Sequence, residues 1–364
     1  MIKVLVVDDS ALARKLFGGL LASESDFEVA FARNGVEALE QLETFEPDVV
    51  TLDVDMPGMN GLACLDRIML ERPCPVVMVS ALTADGAQAT LEALRLGAID
   101  FVEKPQGAVS LRMAEFAPRL VLKVRAAATA RMRASRRLQE RVRHRIGGVA
   151  QTRATMATQT RALSEPAIPG GVVLVGTSTG GPPALEAVLT SLPGDFPWPI
   201  VVAQHMPATF TGALARRLDS LCAIDVAEVA RAVVLQPGCA YIGRGDADIV
   251  IARRGAGLVA MAAPSQAGYP WHPSTDRLVR SAMDHVPAER LIGVLMTGMG
   301  NDGAAAMTEL NAKGGRTIAE SEASAVIWGM PGELVKSGGA DWVLPLSKIA
   351  DRLQKLACAH AARP

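Results

Sequence analysis

The chain has 364 residues, 49% of them hydrophobic and 21% charged, with a net charge of −1, a globular composition long enough for two or three domains. Aromatic residues are only 4%, so the cores must be mostly Val, Leu, Ile, Ala and Met. The five cysteines (Cys64, Cys74, Cys222, Cys239, Cys358) show no C-x-x-C spacing and the five histidines no H-E-x-x-H, which argues against a structural zinc site and a disulfide framework and suits a reducing cytosol.

The opening stretch "MIKVLVVDDS" is cut off by Asp8 and Asp9, so it cannot be a signal peptide. No uncharged run approaches the ~20 apolar residues of a membrane helix. A cytoplasmic protein with no membrane insertion is expected. The charge is unevenly spread. Residues 1–109 carry 8 Lys+Arg against 18 Asp+Glu, residues 110–165 carry 13 against 3, and residues 166–364 carry 16 against 17. An acidic head, a basic middle and a near-neutral tail point to three segments: 1–109, a linker at 110–168, and 169–364.

In residues 1–109, apolar strand patterns alternate with helical ones. "KVLVVDD" ends in two acids, Ala11–Leu21 has apolar residues at helical spacing, "PDVVTLD" ends at Asp53, "CPVVMVSAL" at Ser80, and "AIDFVEKP" at Lys104 and Pro105. This βαβ rhythm predicts an open parallel sheet with helices on both faces. Ligands of such sheets sit at the carboxyl ends of the strands, where Asp8, Asp9, Asp53, Ser80 and Lys104 fall. Converging carboxylates repel one another unless a cation sits between them, and oxygen-only ligands favour Mg²⁺. A lysine and a hydroxyl beside them can hold an oxyanion, so the site can accept a phosphoryl group on a carboxylate.

These residues, in this order, resemble the receiver domain of two-component response regulators, a flavodoxin-like fold. The resemblance implies that Asp53 is the phospho-acceptor, that Asp8 and Asp9 hold Mg²⁺ with it, that Ser80 is the switch hydroxyl and Phe101 the switch aromatic, and that Lys104 contacts the phosphoryl group. The family commonly holds the bond corresponding to Lys104–Pro105 cis.

The linker, with "RAAATARMRASRRLQERVRHRIGG", is rich in Ala, Arg and Gln and poor in large apolar residues. It reads as a partly helical, solvated tether. It lacks the aromatics, the helix-turn-helix and the hydrophobic face of a nucleic-acid reader, so no nucleic acid is expected. Its charge invites the hypothesis that it lies against the acidic receiver.

The third segment opens with Val172–Leu189, "VVLVGTSTGGPPALEAVL": an apolar strand, a Gly-rich turn and a helix whose first turn suits Pro182 and Pro183. Ser178 at the tip lies near spare N–H donors, in the G-x-S-x-G pattern of a nucleophile elbow. A phosphate-binding loop or a plain strand-to-helix connection has the same outline. The dinucleotide fingerprint G-x-G-x-x-G is absent. "PIVVAQHMP" ends at His205, "AYIGRGDADIVIARRGAGLVAMA" reads as short strands forming a hairpin, "LIGVLMTGMGNDGAAAM" leads into a turn carrying Asp302, and "RTIAES" and "WVLPL" are further strands. A second, Rossmann-like α/β sheet with a short antiparallel hairpin is expected. If the strands are parallel neighbours, Ser178, His205 and Asp302 share one sheet edge as nucleophile, base and orienting acid. The order Ser…His…Asp is not that of α/β-hydrolases.

"GTSTGGPPAL", "QHMPATFTGALARRL", "WHPSTDRL" and "TGMGNDGAAAM" resemble the catalytic domain of the chemotaxis protein-glutamate methylesterases of the CheB type. The resemblance implies Ser178 as nucleophile, His205 as general base and acid, Asp302 as orienting acid, the Met299 N–H as an oxyanion donor, and Thr179 and His272 beside the site. Thr177 stands where Ala is common in the family. The implied reaction is hydrolysis of γ-glutamyl methyl esters on methyl-accepting chemotaxis receptors, with no metal needed in this domain. A chemotaxis histidine kinase would be the phosphodonor, and the unphosphorylated receiver would block the catalytic site. Glutamine deamidation by the same triad, and a phosphorylation-gated binding module with an inert hydrolase domain, are the alternatives. A DNA-binding regulator would need a recognition helix that is not found.

Overall fold

The structure is a computed structural model and describes residues 1–81, 83–105, 109–130, 170–255 and 257–361. The chain divides into two compact units, residues 1–160 and 161–364.

In the first unit the elements alternate: β1 (Ile2–Val7), α1 (Ala11–Ala22), β2 (Phe27–Ala32), α2 (Gly35–Thr44), β3 (Val49–Asp53), α3 (Gly61–Glu71), β4 (Val76–Ser80), α4 (Ala84–Arg95), β5 (Asp100–Glu103) and α5 (Val109–Ala128). The strands form one parallel sheet in the order β2-β1-β3-β4-β5, the flavodoxin-like order. A parallel sheet covered on both faces needs continuous apolar strands, and Val4–Val7 and Val76–Val79 are buried throughout. Ser10, Asn34, Asn60 and Thr83 cap α1 to α4 by accepting a backbone N–H in the first turn.

The helix α5 crosses the boundary expected at residue 109. Phe116, Leu120 and Val124, spaced four apart within an Arg- and Ala-rich stretch, are buried. Lys123 Nζ lies 2.7 Å from Asp100 Oδ1 and Arg125 Nε 2.8 Å from Asp26 Oδ2. The start of the basic segment is therefore a helix packed on the first sheet and paired with acids of that unit, and not a solvated tether. The rest of the linker, 131–168, lies outside the described residues.

In the second unit the elements are β6 (Val172–Thr177), α6 (Gly181–Leu189), β7 (Ile200–Gln204), α7 (Ala208–Asp219), β8 (Asp225–Val229), β9 (Val233–Val234), β10 (Cys239–Gly243), β11 (Ala247–Arg254), β12 (Gly257–Pro264), α8 (Thr275–Met283), β13 (Leu291–Leu295), α9 (Ala304–Ala312), β14 (Arg316–Glu320), α10 (Met330–Lys336), β15 (Trp342–Leu344) and α11 (Leu346–Ala361). Seven strands form a parallel sheet in the order β15-β14-β13-β6-β7-β10-β8. The hairpin β11-β12 is present and takes β9 as a third antiparallel strand. Strand order reverses at β6, which has β7 on one side and β13 on the other, so the crevice beyond these three carboxyl ends is the switch point where such sheets bind ligands. Leu174, Val201, Leu278, Leu295 and Met307 belong to the core beneath it. No helix among the described residues is long and apolar enough to cross a membrane.

Candidate active site

Three neighbouring strands each deliver one residue to the crevice. Thr177 at the end of β6 pairs with Gln204 at the end of β7, so Ser178 and His205, the next residues, emerge side by side. Asp302 comes from the turn between β13 and α9.

Ser178 is pinned through its backbone. Its N–H donates to the Thr297 carbonyl at 3.0 Å, and its own carbonyl accepts from Gly181 N at 2.8 Å and from Gln204 Nε2 at 3.0 Å. The left-handed backbone that turns the chain into α6 is taken by Gly180, with φ +78°. Ser178 itself is not in that region, so the positive φ of this turn falls on a glycine, which adopts it without steric strain. Across the crevice, a Cβ on Gly298 would lie 2.8 Å from Ser178 Cβ, so the turn after β13 approaches the serine as closely as a bare backbone allows. Met299 follows directly on this contact. The Thr177 hydroxyl donates to the Thr297 carbonyl at 3.0 Å, which satisfies the polar group that an alanine would lack. Thr179 is buried, and its carbonyl accepts from Thr297 Oγ1 at 2.8 Å.

His205 Nε2 lies 2.8 Å from Asp302 Oδ2, and both side chains are buried. The second ring nitrogen, Nδ1, is buried with no hydrogen-bond partner. Asp302 accepts three more hydrogen bonds, from Ser274 Oγ at 2.9 Å, Thr275 N at 2.6 Å and Asp276 N at 3.1 Å. Burial alone would raise its pKa, but the bonds from His205, Thr275 and Asp276 outweigh it and hold the carboxyl below its ordinary value.

His272 is held elsewhere: its Nδ1 lies 2.9 Å from Asp248 Oδ1. Asp248 is fully buried and also accepts from Ser274 N at 2.8 Å and Arg277 Nη1 at 2.5 Å, so it anchors the loop that supplies donors to Asp302. Four residues of this neighbourhood are not apparent from the sequence. Gln204 donates from Nε2 to the carbonyls of both Ser178 and His205, each at 3.0 Å. Trp271 stacks on His205 with ring centroids 6.0 Å apart. Asp248 organises the 271–277 loop. Glu320, fully buried, accepts from Thr297 N at 2.9 Å. Their only signal is position: Gln204 precedes His205, and Trp271 opens "WHPSTDRL".

At the first sheet's carboxyl edge, ligand oxygens of Asp8, Asp9 and Asp53 all lie within 4.8 Å of one another. Lys104 Nζ is 2.6 Å from Asp53 Oδ2 and 2.9 Å from Asp8 Oδ2. Burial, with the charge of Asp8 adding to it, pushes the Asp53 carboxyl up to about 6 against the pull of Lys104. Asp8 Oδ2 is buried and shares this ammonium with Asp53. Three carboxylates converging on one point, with a single ammonium among them, fit a hard divalent cation such as Mg²⁺. Ser80 is fully buried, its hydroxyl 3.4 Å from the carbonyls of Ala81 and Gly86. Phe101 is buried beneath Lys123 Nζ, 5.1 Å from the ring centroid. The cis peptide bond in the described residues is His272–Pro273, and Lys104–Pro105 is trans.

Comparison with known proteins agrees with both halves. The family model for CheB methylesterase matches residues 173–353, and that for the response regulator receiver domain matches residues 4–114. A protein-glutamate methylesterase/protein-glutamine glutaminase of Rhodopseudomonas palustris (strain BisB18) is 54% identical over 367 residues, the whole of both chains. Another, from Rhodospirillum rubrum, is 54% identical over 97% of this chain and 95% of its own. The crystal structure of the Thermotoga maritima CheB methylesterase catalytic domain matches with a TM-score of 0.50 at 36% identity, over 52% of this chain and 100% of that one.

Proposed function

The chain belongs to the family of CheB-type protein-glutamate methylesterases with a receiver domain, and we propose that Ser178, His205 and Asp302 are its catalytic triad. The observation that carries the assignment is the buried His205 ring, bonded to Asp302 through Nε2 and with Nδ1 left without a hydrogen-bond partner, on a strand end next to that of Ser178. A buried unpartnered nitrogen costs stability and has no structural return, but it is what a general base requires. The same feature disfavours an inert hydrolase domain.

His205 Nδ1 takes the proton of Ser178 Oγ as that oxygen attacks the carbonyl carbon of a γ-glutamyl methyl ester on a methyl-accepting chemotaxis receptor. Asp302 keeps the Nε2 proton, which fixes the tautomer and stabilises the imidazolium that forms. Backbone N–H groups, that of Met299 among them, hold the oxyanion. The proton on Nδ1 passes to the departing methoxy oxygen, and methanol leaves. Water, activated by the same nitrogen, then cleaves the acyl-enzyme to glutamate. A glutamine side chain follows the same course with ammonia as leaving group, which is the glutaminase reaction.

Asp53 is the phospho-acceptor for a chemotaxis histidine kinase. Asp8, Asp9 and Asp53 would hold Mg²⁺, which when bound would offset the charge of the arriving phosphoryl group. Lys104, already on Asp53, neutralises one of its oxygens, and Ser80 and Phe101 respond to the modification. Added charge at Asp53 shifts the population toward the active enzyme. The enzyme acts in the cytoplasm on the receptors' cytoplasmic regions, without membrane insertion and without nucleic acid.

The triad is tested by a serine-directed fluorophosphonate. Labelling is expected at Ser178 alone and is lost in Ser178→Ala and slowed in His205→Gln. Labelling that persists in Ser178→Ala at another serine would reject the assignment.

A further inference from the structure

Trp271 lies parallel to the His205 ring, with an interplanar angle of 4° and centroids 6.0 Å apart, within the range of an offset aromatic stack. The indole is held from two other directions. A Cβ on Gly300, in the turn carrying Asp302, would lie 2.9 Å from Trp271 Cζ2, so this turn packs against the ring without a side chain between them. On the other side His272 and Ser274, the residues that follow, are both tied to buried Asp248, by His272 Nδ1 at 2.9 Å and Ser274 N at 2.8 Å. The indole is thus a fixed, half-buried wall on one face of the imidazole.

We propose that Trp271 is a positioning residue for the hydrolysis: it keeps the His205 ring in the plane in which Nε2 meets Asp302, and its π-face stabilises the imidazolium formed as Ser178 attacks. The proposal rests on the reading of His205 as the general base. The ring has two nitrogens but only one anchor, the Asp302 bond, about which it can swing. A flat apolar surface parallel to it removes that freedom and keeps water off the face. A cation over an aromatic ring is attracted by the ring quadrupole, so the stack favours the charged form made during attack over the neutral resting form. Charged and titratable groups beside the pair include Asp302, from the turn before α9, Asp276, whose N–H bonds Asp302, and Asp248, which holds both His272 and Arg277.

Two readouts test this in the full-length protein. An imidazolium against an indole quenches its emission. Tryptophan fluorescence should therefore fall on acidification, as the stacked ring gains its proton. The fall should vanish in Trp271→Phe and in His205→Gln and remain in His272→Gln. In steady-state methanol release, Trp271→Ala should lower kcat about tenfold with KM little changed, and Trp271→Phe, which restores a flat ring, should recover most of the loss. A fall in emission unchanged in His205→Gln, or a Trp271→Ala effect confined to KM, would overturn the proposal. If His205→Gln instead keeps full esterase activity, the base assignment itself fails, whatever the fluorescence shows.

Discussion

Asp302 and Asp276 each cap the helix that the other introduces. Asp302, just before α9, accepts the N–H groups of Thr275 and Asp276 at the start of α8. Asp276, in the first turn of α8, accepts the Ala306 N–H of α9 at 2.9 Å. Neither Ser274 nor Gly303 needs to satisfy all the free donors of its own helix, because a carboxylate arrives from the other. The exchange fixes Asp302 more firmly than its bond to His205 alone would. Asp276→Ala should lower the melting temperature of the catalytic unit by about 2–4 °C, from a lost cap of about 1 kcal/mol, and should lower kcat as well. Asp276→Asn keeps the accepting oxygen and should retain most of both. Equal losses in the two variants, by calorimetry and methanol release, would mean that charge rather than capping matters here.

The Asp302 carboxyl is held below its ordinary value of 3.8, because His205 and two backbone N–H groups outweigh burial. A depressed pKa in the folded state stabilises the protein above the unfolded value, and the contribution is lost as pH falls through the folded one. The gap in melting temperature between wild type and Asp302→Asn should therefore be widest above about pH 4 and close below it. The same variant should lose on the order of 10³–10⁴ in kcat, through the wrong tautomer of His205. A gap that widens as the pH falls would reverse the sign of the account.

Gln204 joins β6 and β7 by a single amide that donates to the carbonyls of Ser178 and His205. Gln204→Glu has the same shape but sets an oxygen against two carbonyl oxygens. It should cost about 1–3 kcal/mol of stability and reduce kcat at least tenfold at pH 7. Gln204→Met, without the clash, should fall between it and wild type. A Gln204→Glu enzyme as active as wild type would show that the serine–histidine spacing is set by the sheet alone.

Chelation should separate the two units. EDTA should abolish phosphorylation of Asp53 by a small phosphodonor, read as acid-stable, base-labile phosphate, because Asp8, Asp9 and Asp53 carry their charge best around a cation. Basal methanol release by the unphosphorylated protein should be unaffected. Loss of basal release, restored by Zn²⁺ rather than Mg²⁺, would place a metal in the catalytic unit.

Much of this arrangement can be read from the chain. Ser178, His205 and Asp302 each close an apolar strand at a turn, and the parallel order β13-β6-β7 is what brings three strand ends together. The acids of the receiver stand out for the same reason. Gln204 does not, since a polar residue ending a strand is ordinary, and only the β6–β7 register sets its amide between two carbonyls. The exchange between Asp276 and Asp302 depends on how two helix starts meet, which no spacing encodes. The apolar stripe Phe116, Leu120, Val124 of α5 is diluted by arginines and alanines, so composition reads it as tether while the four-residue period reads it as a packed helix.

The most direct measurement is methanol release from methylated chemoreceptor membranes by wild type, Ser178→Ala and Asp53→Asn, with and without a small phosphodonor and Mg²⁺. The account predicts release that is absent in Ser178→Ala, rises with phosphodonor in wild type, and stays at its basal level in Asp53→Asn. Release that survives in Ser178→Ala, or that rises equally in Asp53→Asn, would contradict it.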